Sequence, residues 1–412
     1  MTTKKALIIG SGIAGPAAAM FLKRAGIEAE IFEAQPGPDD YNGLFLNMAS
    51  NGLGVLKTLG LHTEVAAQGF AAPHMVMWSG SGKRLGAVRN GAAEGQGEVS
   101  VIIKRGALHR ILRDAAQRQG IPIAFGKQLT GIVQESGRVT AIFADGTRAT
   151  GDFLVGSDGI HSRTRQIIDP SAPKPVYTGL VSSGGFSRGA GMQPTPDTQH
   201  FIFGKRAFFG YLVKPDGEIY WFNNLAYPGE PRRSELEAIA HDEWQRRMLE
   251  LHRGDQPFIQ DIIRATEGPI GRYPIYEIPS LPRWHAGRVV LIGDAVHATS
   301  PSAGQGASLA LEDAIVLAKC VRDIPRLEDA FVAFERLRRE RVERVVRFSR
   351  ERGSNKAASG PVARFLRDLL LPFFLKRFAD PRSLAWVYSY QVDWAEPLDS
   401  QARALALEER LA

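Results

Sequence analysis

A short apolar run of strand length, Lys4 to Ile9, breaks into Gly10-Ser11-Gly12-Ile13-Ala14-Gly15 before an alanine-rich stretch, Pro16 to Ala25, of helical character. This junction limits the fold more than any other part of the chain. In a G-x-G-x-x-G turn between strand and helix, the first glycine permits the tight turn. The second lets a pyrophosphate approach the backbone, and the third lets the helix pack closely on the strand. The unpaired N–H groups of the helix N-terminus then face an anion. Gly26 stops the helix, and Glu28 to Phe32 reads as a second strand ending at Glu33, with Ala34 beside it, a little over twenty residues past Gly10. An acid at that place accepts hydrogen bonds from ribose hydroxyls. Strand, turn, helix, strand and acid in this order predict a doubly wound α/β unit that binds a dinucleotide.

Composition sets the outer bounds. The chain has 412 residues, 44% hydrophobic and 23% charged, as expected of a globular protein large enough for two domains. No stretch reaches the roughly 18 apolar residues of a membrane span, and the opening apolar run is too short for a signal peptide, so a cytoplasmic location is expected. The single cysteine, Cys320, allows no intrachain disulfide or CxxC pair. No metal site is expected, and redox chemistry has to come from a bound cofactor. A net charge of +7 would suit nucleic acid, but the basic residues concentrate in Arg336 to Arg352, where acids are interleaved. That pattern reads as a solvated helix face, so no nucleic-acid partner is expected.

Further along, Val99 to Ile103 reads as a strand and the following residues as a helix, with Leu108, Ile111, Leu112 and Ala115 at helical spacing. Arg105 stands at their junction, where it is either a surface residue at a helix start or placed for a phosphate or ribityl contact. The β-rich stretch 121–156 turns at Asp145-Gly146 and leads to Gly156-Ser157-Asp158-Gly159, then a Ser/Arg-rich segment. From Gly179 to about Pro269 the character changes: two aromatic strands, 200–214 and 218–227, joined at Pro215-Asp216-Gly217, precede a helix with Ser234 as expected N-cap and Glu237 three residues on. This predicts an antiparallel sheet with a covering helix. Its aromatic residues exceed what one buried face requires, so part of them should wall a pocket for a flat apolar molecule; the strand register leaves open which alternate set faces inward. The first fold type then returns: Gly287 to Asp294 is an apolar strand ending in an acid, and a loop carrying Pro301, Gly304, Gln305, Gly306 and Ala307 leads into a long helix, Ala307 to Val321. An acid at the carboxyl end of a parallel strand sits where open α/β sheets bind ligands.

The glycine turn with Glu33, the Asp158-Gly159 segment and GDAVHATSPSAGQGASLALEDA from Gly293, taken together, resemble the single-component FAD-dependent aromatic hydroxylases. This is the para-hydroxybenzoate hydroxylase superfamily, which includes salicylate-hydroxylase-like enzymes, urate hydroxylase and tetracycline-inactivating monooxygenases. The likeness spans about residues 1 to 350. It implies a Rossmann-like FAD-binding domain assembled from 1–72, 98–178 and 270–350, an inserted antiparallel-sheet substrate domain from 73–97 and 179–269, and a C-terminal helical cap, 351–412. By the same resemblance, Gly10, Gly12, Ile13, Ala14 and Gly15 would approach the FAD pyrophosphate and Glu33 and Ala34 the adenosine ribose. Arg105 would contact the phosphate and ribityl region, Leu129 would lie near the adenine, and Asp294 would hold a ribityl hydroxyl. Pro301 would lie beside the isoalloxazine ring, Gly304 to Ala307 would present N–H groups to it, and Asp158 would belong to the segment shared by FAD and NAD(P)H.

The chemistry so implied is hydroxylation of a planar aromatic, phenol-like or polycyclic, by NAD(P)H and O2 through a flavin C4a-hydroperoxide. Phe203, Phe209, Tyr211, Tyr220, Trp221 and Phe222 are the candidate substrate contacts. His297, Tyr211, Tyr220 and His200 are candidate proton acceptors by location alone, and much of the chemistry would belong to the cofactor itself. Three other readings stay open. The W-x-W-x-I-P of a flavin halogenase is not found in the sequence. A non-hydroxylating FAD oxidoreductase would share the same motifs, and a flavin-binding sensor would use the C-terminal tail to dock a partner. Oligomeric state is not legible.

Overall fold

The structure, a computed structural model, describes residues 4–40, 43–354, 360–378 and 380–398. The expected C-terminal cap therefore lies partly outside the described residues, at 355–359, 379 and 399–412.

A six-stranded sheet carries the glycine turn. Its order is His285–Ala286, Val289–Leu291, Phe153–Gly156, Lys5–Ile9, Glu28–Phe32 and Ile123–Ala124, parallel except for the first pair. The alternation of Lys5–Ile9 decides its surroundings. Ala6 and Ile8 face the helices Ala14–Arg24 and Gly306–Asp323, whereas Leu7 and Ile9 face a three-stranded meander, Leu129–Glu135, Arg138–Phe143 and Arg148–Gly151. Covered on both faces, such a strand has to be apolar throughout, which is why the sequence reads as a continuous run. The meander turns at Asp145-Gly146, with Phe143 N–H bonded to the Thr147 carbonyl, as the sequence predicts.

A second, seven-stranded sheet has the order Thr266–Glu277, Val176–Ser187, Ile219–Ala226, Ala207–Val213, Thr198–Phe203, His74–Ser79 and Arg84–Arg89. All its pairs are antiparallel except Thr198–Phe203 with His74–Ser79. Residues 73–97, expected in the inserted domain, thus enter this sheet as its strands His74–Ser79 and Arg84–Arg89. The single long aromatic strand expected over 200–214 is instead two strands, because the chain reverses at Gly204-Lys205-Arg206. A Cβ at Gly204 would lie 2.5 Å from the Ala207 carbonyl oxygen, so only glycine closes this turn. The covering helix also begins earlier than Ser234: it spans Arg233–Glu237, and Glu235 accepts the Arg232 N–H at 3.0 Å. The capping box is present two residues earlier than the sequence pattern put it, with Arg232 and Glu235 in the places expected of Ser234 and Glu237.

The long helix Leu327–Ser354 is not only a solvated face. Arg338 is fully buried on Glu312 and Asp313, at 2.7 and 2.8 Å. Beyond it, helix Pro361–Phe378 packs against the Arg84–Arg89 edge of the second sheet, Leu375 sitting with Met75, Leu85 and Val88. The remaining stretch, 380–398, returns to the first domain, where Trp394 meets Phe21 with ring centroids 5.3 Å apart and Arg322 donates to the Trp394 carbonyl.

Candidate functional site

Gly10 has φ +103°, and a Cβ there would lie 2.5 Å from the Ser157 carbonyl oxygen; a Cβ on Gly15 would land on the Gly10 carbonyl. Both glycines are needed for helix, turn and neighbouring strand to close on one another. Gly12 differs, because a Cβ there would meet nothing within 4 Å. The turn is thus packed from behind and open in front. The helix that follows, Ala14–Arg24, has no acid in its first turn, so the positive end of its dipole is left for an outside anion. Glu33 lies alongside: its carboxylate accepts the Ser11 N–H at 2.7 Å and the Gln35 N–H at 2.9 Å, which fixes its orientation at the end of Glu28–Phe32. The backbone of Glu33 also accepts from Lys127, bringing the approach to Leu129 beside it, with Ala34 next in the chain.

Away from this turn, a cavity of about 1420 Å³ runs between the two sheets. Its floor brings together Ile13, Arg105, Asp294, Pro301 and Gly304 to Ala307 from four separate parts of the sequence. Arg105 opens the helix Arg105–Arg118, and Asp294 opens the short helix Asp294–His297; both side chains are exposed to the cleft. Asp158 is placed differently. Its carboxylate accepts Ser162 Oγ at 2.5 Å and both the N–H and Oγ1 of Thr164 at 2.9 Å, so it caps the helix Arg163–Ile168 rather than pointing into open space.

The ceiling is the second sheet, and its register sorts the aromatic candidates. Phe208 pairs with Asn224 and Phe203, and Gly210 with Phe222, so Phe203, Phe208, Phe222 and Asn224 share the face that lines the cavity. Phe209, Tyr211 and Trp221 project to the opposite face. There Phe209 and Trp221 stack at 5.6 Å beneath the helices His241–Leu251 and Pro257–Arg264. Tyr220 is on the cavity side but packs with Phe45, Phe186 and Ile102 where the sheet rests on the first domain. Of the six aromatic candidates, then, the cavity is lined by Phe203 and Phe222. Phe209→Leu should lower stability by about 1–2 kcal/mol in urea denaturation through the gap it leaves in the core, whereas Phe222→Leu should leave the midpoint near wild type and change ligand affinity.

The proton-acceptor candidates also fall outside the cavity. His297 is buried, with Nε2 2.6 Å from Asp313. His200 stacks on Tyr211 at 5.0 Å and accepts from the Trp78 indole at 3.0 Å, on the helix-covered face. Burial pushes the Tyr211 hydroxyl up to about 12 and raises that of Tyr220 as well. The histidine that lines the cavity is His161, from the segment following Asp158. Burial first, and then the Arg165 charge, hold its pKa below the ordinary value, so its imidazole is neutral and able to accept a proton at neutral pH. In the sequence that segment stands out only as Ser/Arg-rich, and the signal that points to His161 is its position just after a strand-ending Gly/Asp turn. It also missed the part of the cavity wall supplied by Pro361–Phe378, through Leu366, Leu370, Leu371 and Phe374.

Comparison with known proteins agrees with this geometry. A family model described as an FAD binding domain matches residues 3–349. The 6-hydroxynicotinate 3-monooxygenase of Pseudomonas fluorescens is 30% identical over 84% of this chain and 90% of its own length. The FAD-dependent urate hydroxylase of Klebsiella oxytoca is 30% identical over 84% of this chain and 89% of its own. The crystal structure of Klebsiella pneumoniae HpxO complexed with FAD and uric acid superimposes with a TM-score of 0.80 at 25% identity, over 92% of this chain and 96% of that one. The open space before Gly12 and the acid-free helix start fit the diphosphate of such a cofactor. With the glycine turn, the floor of the cleft and these relatives in agreement, the chain belongs to the FAD-binding-domain family, among the flavoprotein aromatic hydroxylases of the para-hydroxybenzoate hydroxylase superfamily.

Proposed function

We propose that this enzyme uses NAD(P)H and O2 to hydroxylate a planar aromatic small molecule. The observation that carries the reading is a cavity that joins the Asp294/Pro301–Ala307 floor to an aromatic ceiling, so that cofactor and substrate would share one space. The relatives named for urate and hydroxynicotinate support an aromatic ring as substrate. The proposed domains keep the sequence expectation, in which 1–72, 98–178 and 270–350 would hold FAD and 73–97 and 179–269 would cover the substrate, except that Val176–Ser187 and Thr266–Glu277 run wholly in the second sheet; the described part of 351–412 would form the cap.

Bound FAD would supply the electron transfer and the activation of oxygen. The chain's own residues supply everything around it. Gly10, Gly12, Ile13, Ala14 and Gly15 would receive the diphosphate on backbone N–H groups, with Glu33 and Ala34 at the ribose and Leu129 near the adenine. Arg105 would pair with phosphate or ribityl oxygen, and Asp294 would accept from a ribityl hydroxyl. Backbone N–H groups of Gly304 to Ala307, at the start of helix Gly306–Asp323, would favour negative charge on the ring edge, with Pro301 against its face. Asp158 would act by holding the helix Arg163–Ile168, and with it the His161 segment, in place. His161 would accept the proton of a phenolic substrate. Phe203, Phe222 and the wall from Pro361–Phe378 would exclude water, which protects a reactive oxygen species from wasteful decay.

The test is anaerobic stopped-flow reduction of the FAD-loaded protein by NADPH and NADH, with and without a panel of aromatic ligands. Reduction of the flavin by one donor, accelerated severalfold by a ligand that is then hydroxylated in air, is the expected result. No reduction by either nucleotide with any ligand would overturn the proposal.

A further inference from the structure

Helix Pro361–Phe378 is apolar on two sides, and the fold uses one of them. Leu366, Leu370, Leu371 and Phe374 line the cavity, and Leu375 packs on Met75, Leu85 and Val88 of the second sheet. Val362, Phe365, Leu369 and Phe373 belong to neither set. They follow one another at intervals of three, four and four residues, so they form one stripe, on the side of the helix turned away from the sheet. Their exposures are 70, 66, 48 and 68%. Apolar residues scattered singly over a surface are ordinary, but four in one stripe, two of them phenylalanine, mark a face built to be covered.

The charge around the stripe indicates what covers it. The helix carries a single acid, Asp368, and Arg367 holds it at 2.8 Å. The other cations are not spent in this way. Arg364 donates to a backbone carbonyl, that of Lys205, at 2.8 Å, on the turn where the second sheet reverses. Lys376 is exposed beside the buried Leu375, and Arg84 opens the strand Arg84–Arg89 that the helix packs on. None of Arg84, Lys205, Arg364 and Lys376 is paired with an acid among the described residues. The rim is therefore positive, as is the whole chain at +7. Two copies meeting through this face would set like charges opposite one another, because a twofold contact places each rim against its own copy. An anionic lipid surface matches both features: the apolar stripe enters the boundary between headgroups and acyl chains, and the cations meet the phosphates. No helix among the described residues is long and apolar enough to cross a membrane, so the contact runs along the surface.

We infer that helix Pro361–Phe378 docks the protein on an anionic lipid surface, with Val362, Phe365, Leu369 and Phe373 entering the lipid and Arg84, Lys205, Arg364 and Lys376 meeting its headgroups. So docked, the helix lies between the bilayer and the cavity that its other side lines.

The test is co-sedimentation of the FAD-loaded full chain with vesicles of phosphatidylcholine alone and of phosphatidylcholine mixed about 2:1 with phosphatidylglycerol. Binding to the mixed vesicles is expected to be at least tenfold tighter, and to weaken as salt is raised from about 0.1 M to about 0.5 M. Lys376→Gln should cost about fivefold on the mixed vesicles, the amount one cation contributes near an anionic surface. The double variant Phe365→Ser with Phe373→Ser should weaken binding at least tenfold, the least that losing two buried phenylalanines predicts. Both positions are solvent-exposed, so its melting temperature should stay near that of wild type. Failure to sediment with either vesicle would overturn the inference. So would unchanged binding of the double variant, since the net charge alone would then account for it. Sedimentation velocity supplies the remaining arm: a dimer that the double variant dissolves would assign the stripe to a second copy and overturn the lipid assignment.

Discussion

Gly12→Ala should fold with a melting temperature close to that of the wild-type apoprotein and bind FAD about ten- to a hundredfold more weakly. The space before Gly12 is empty, so the added methyl strains no neighbour within the protein. On the proposed reading it occupies the space that the diphosphate would enter, and losing one charge-assisted N–H contact costs about 1.5–3 kcal/mol, or roughly one to two decades in affinity. Calorimetric titration of apoprotein with FAD, beside thermal unfolding of both apo forms, separates the two effects. Gly15→Ala is the opposite case. Its methyl would meet the Gly10 carbonyl, so it should fail to fold or melt far below wild type before any cofactor is added. If Gly12→Ala bound FAD with unchanged affinity, the assignment of this turn to the diphosphate would fall.

Arg338→Met should be the most destabilising single change among the charged residues of helix Leu327–Ser354. The guanidinium is fully buried between Glu312 and Asp313, and removing it leaves two buried carboxylates short of a partner. Breaking a buried pair from one side costs about 3–5 kcal/mol, against about 0–1 for a solvent-exposed pair. Arg339→Met, next in sequence and paired with Glu335 and Glu343 nearer the surface, is the control and should shift the urea midpoint little. The pH dependence carries a second signature. Burial alone would raise the Asp313 carboxyl, but His297 and Arg338 beside it reverse that and hold it at about 2. Because the folded pKa is below that of a free aspartate, ionised Asp313 stabilises the fold at all pH values above about 4. This contribution is lost as pH falls from about 4 toward 2. Without Arg338 the carboxyl titrates at higher pH, so acid unfolding should begin earlier. Equal urea midpoints for Arg338→Met and Arg339→Met would sink this account.

These two cases also mark how far the sequence could be read. Gly10 to Gly15 and Glu33 were legible because a dinucleotide turn is local: its residues are neighbours in sequence and their spacing is set by the turn itself. The loop at Pro301 to Ala307 was legible as a glycine-bearing lead into a long helix, and its expected place beside a cofactor came from the family resemblance. The aromatic sheet was recognisable as a sheet, yet which of its residues met the cavity was not, since a shift of one residue exchanges the faces. Phe209 and Trp221 went under the helices and Phe222 over the cleft. Gly204 hid a strand reversal inside what looked like one run. Arg338 looked solvated because a charge-rich helix looks the same whether its partner is water or a buried acid on another helix, here Glu312. His161 had no local pattern to distinguish it, and the wall of Leu366 to Phe374 depended on a tail whose docking partner is the Arg84–Arg89 strand, far earlier in the chain.

The two helices that start at the cleft, Ala14–Arg24 and Gly306–Asp323, are both buttressed by residues of the final described stretch. Trp394 rests on Phe21, Lys319 and Arg322 donate to the Asp393 and Trp394 carbonyls, and Arg341 joins Glu312 at 2.7 Å to the Trp386 and Val387 carbonyls. One stretch thus props two helices that come from distant parts of the sequence, so the glycine turn and the floor loop share a single brace and a disturbance at Trp386 to Trp394 would reach both.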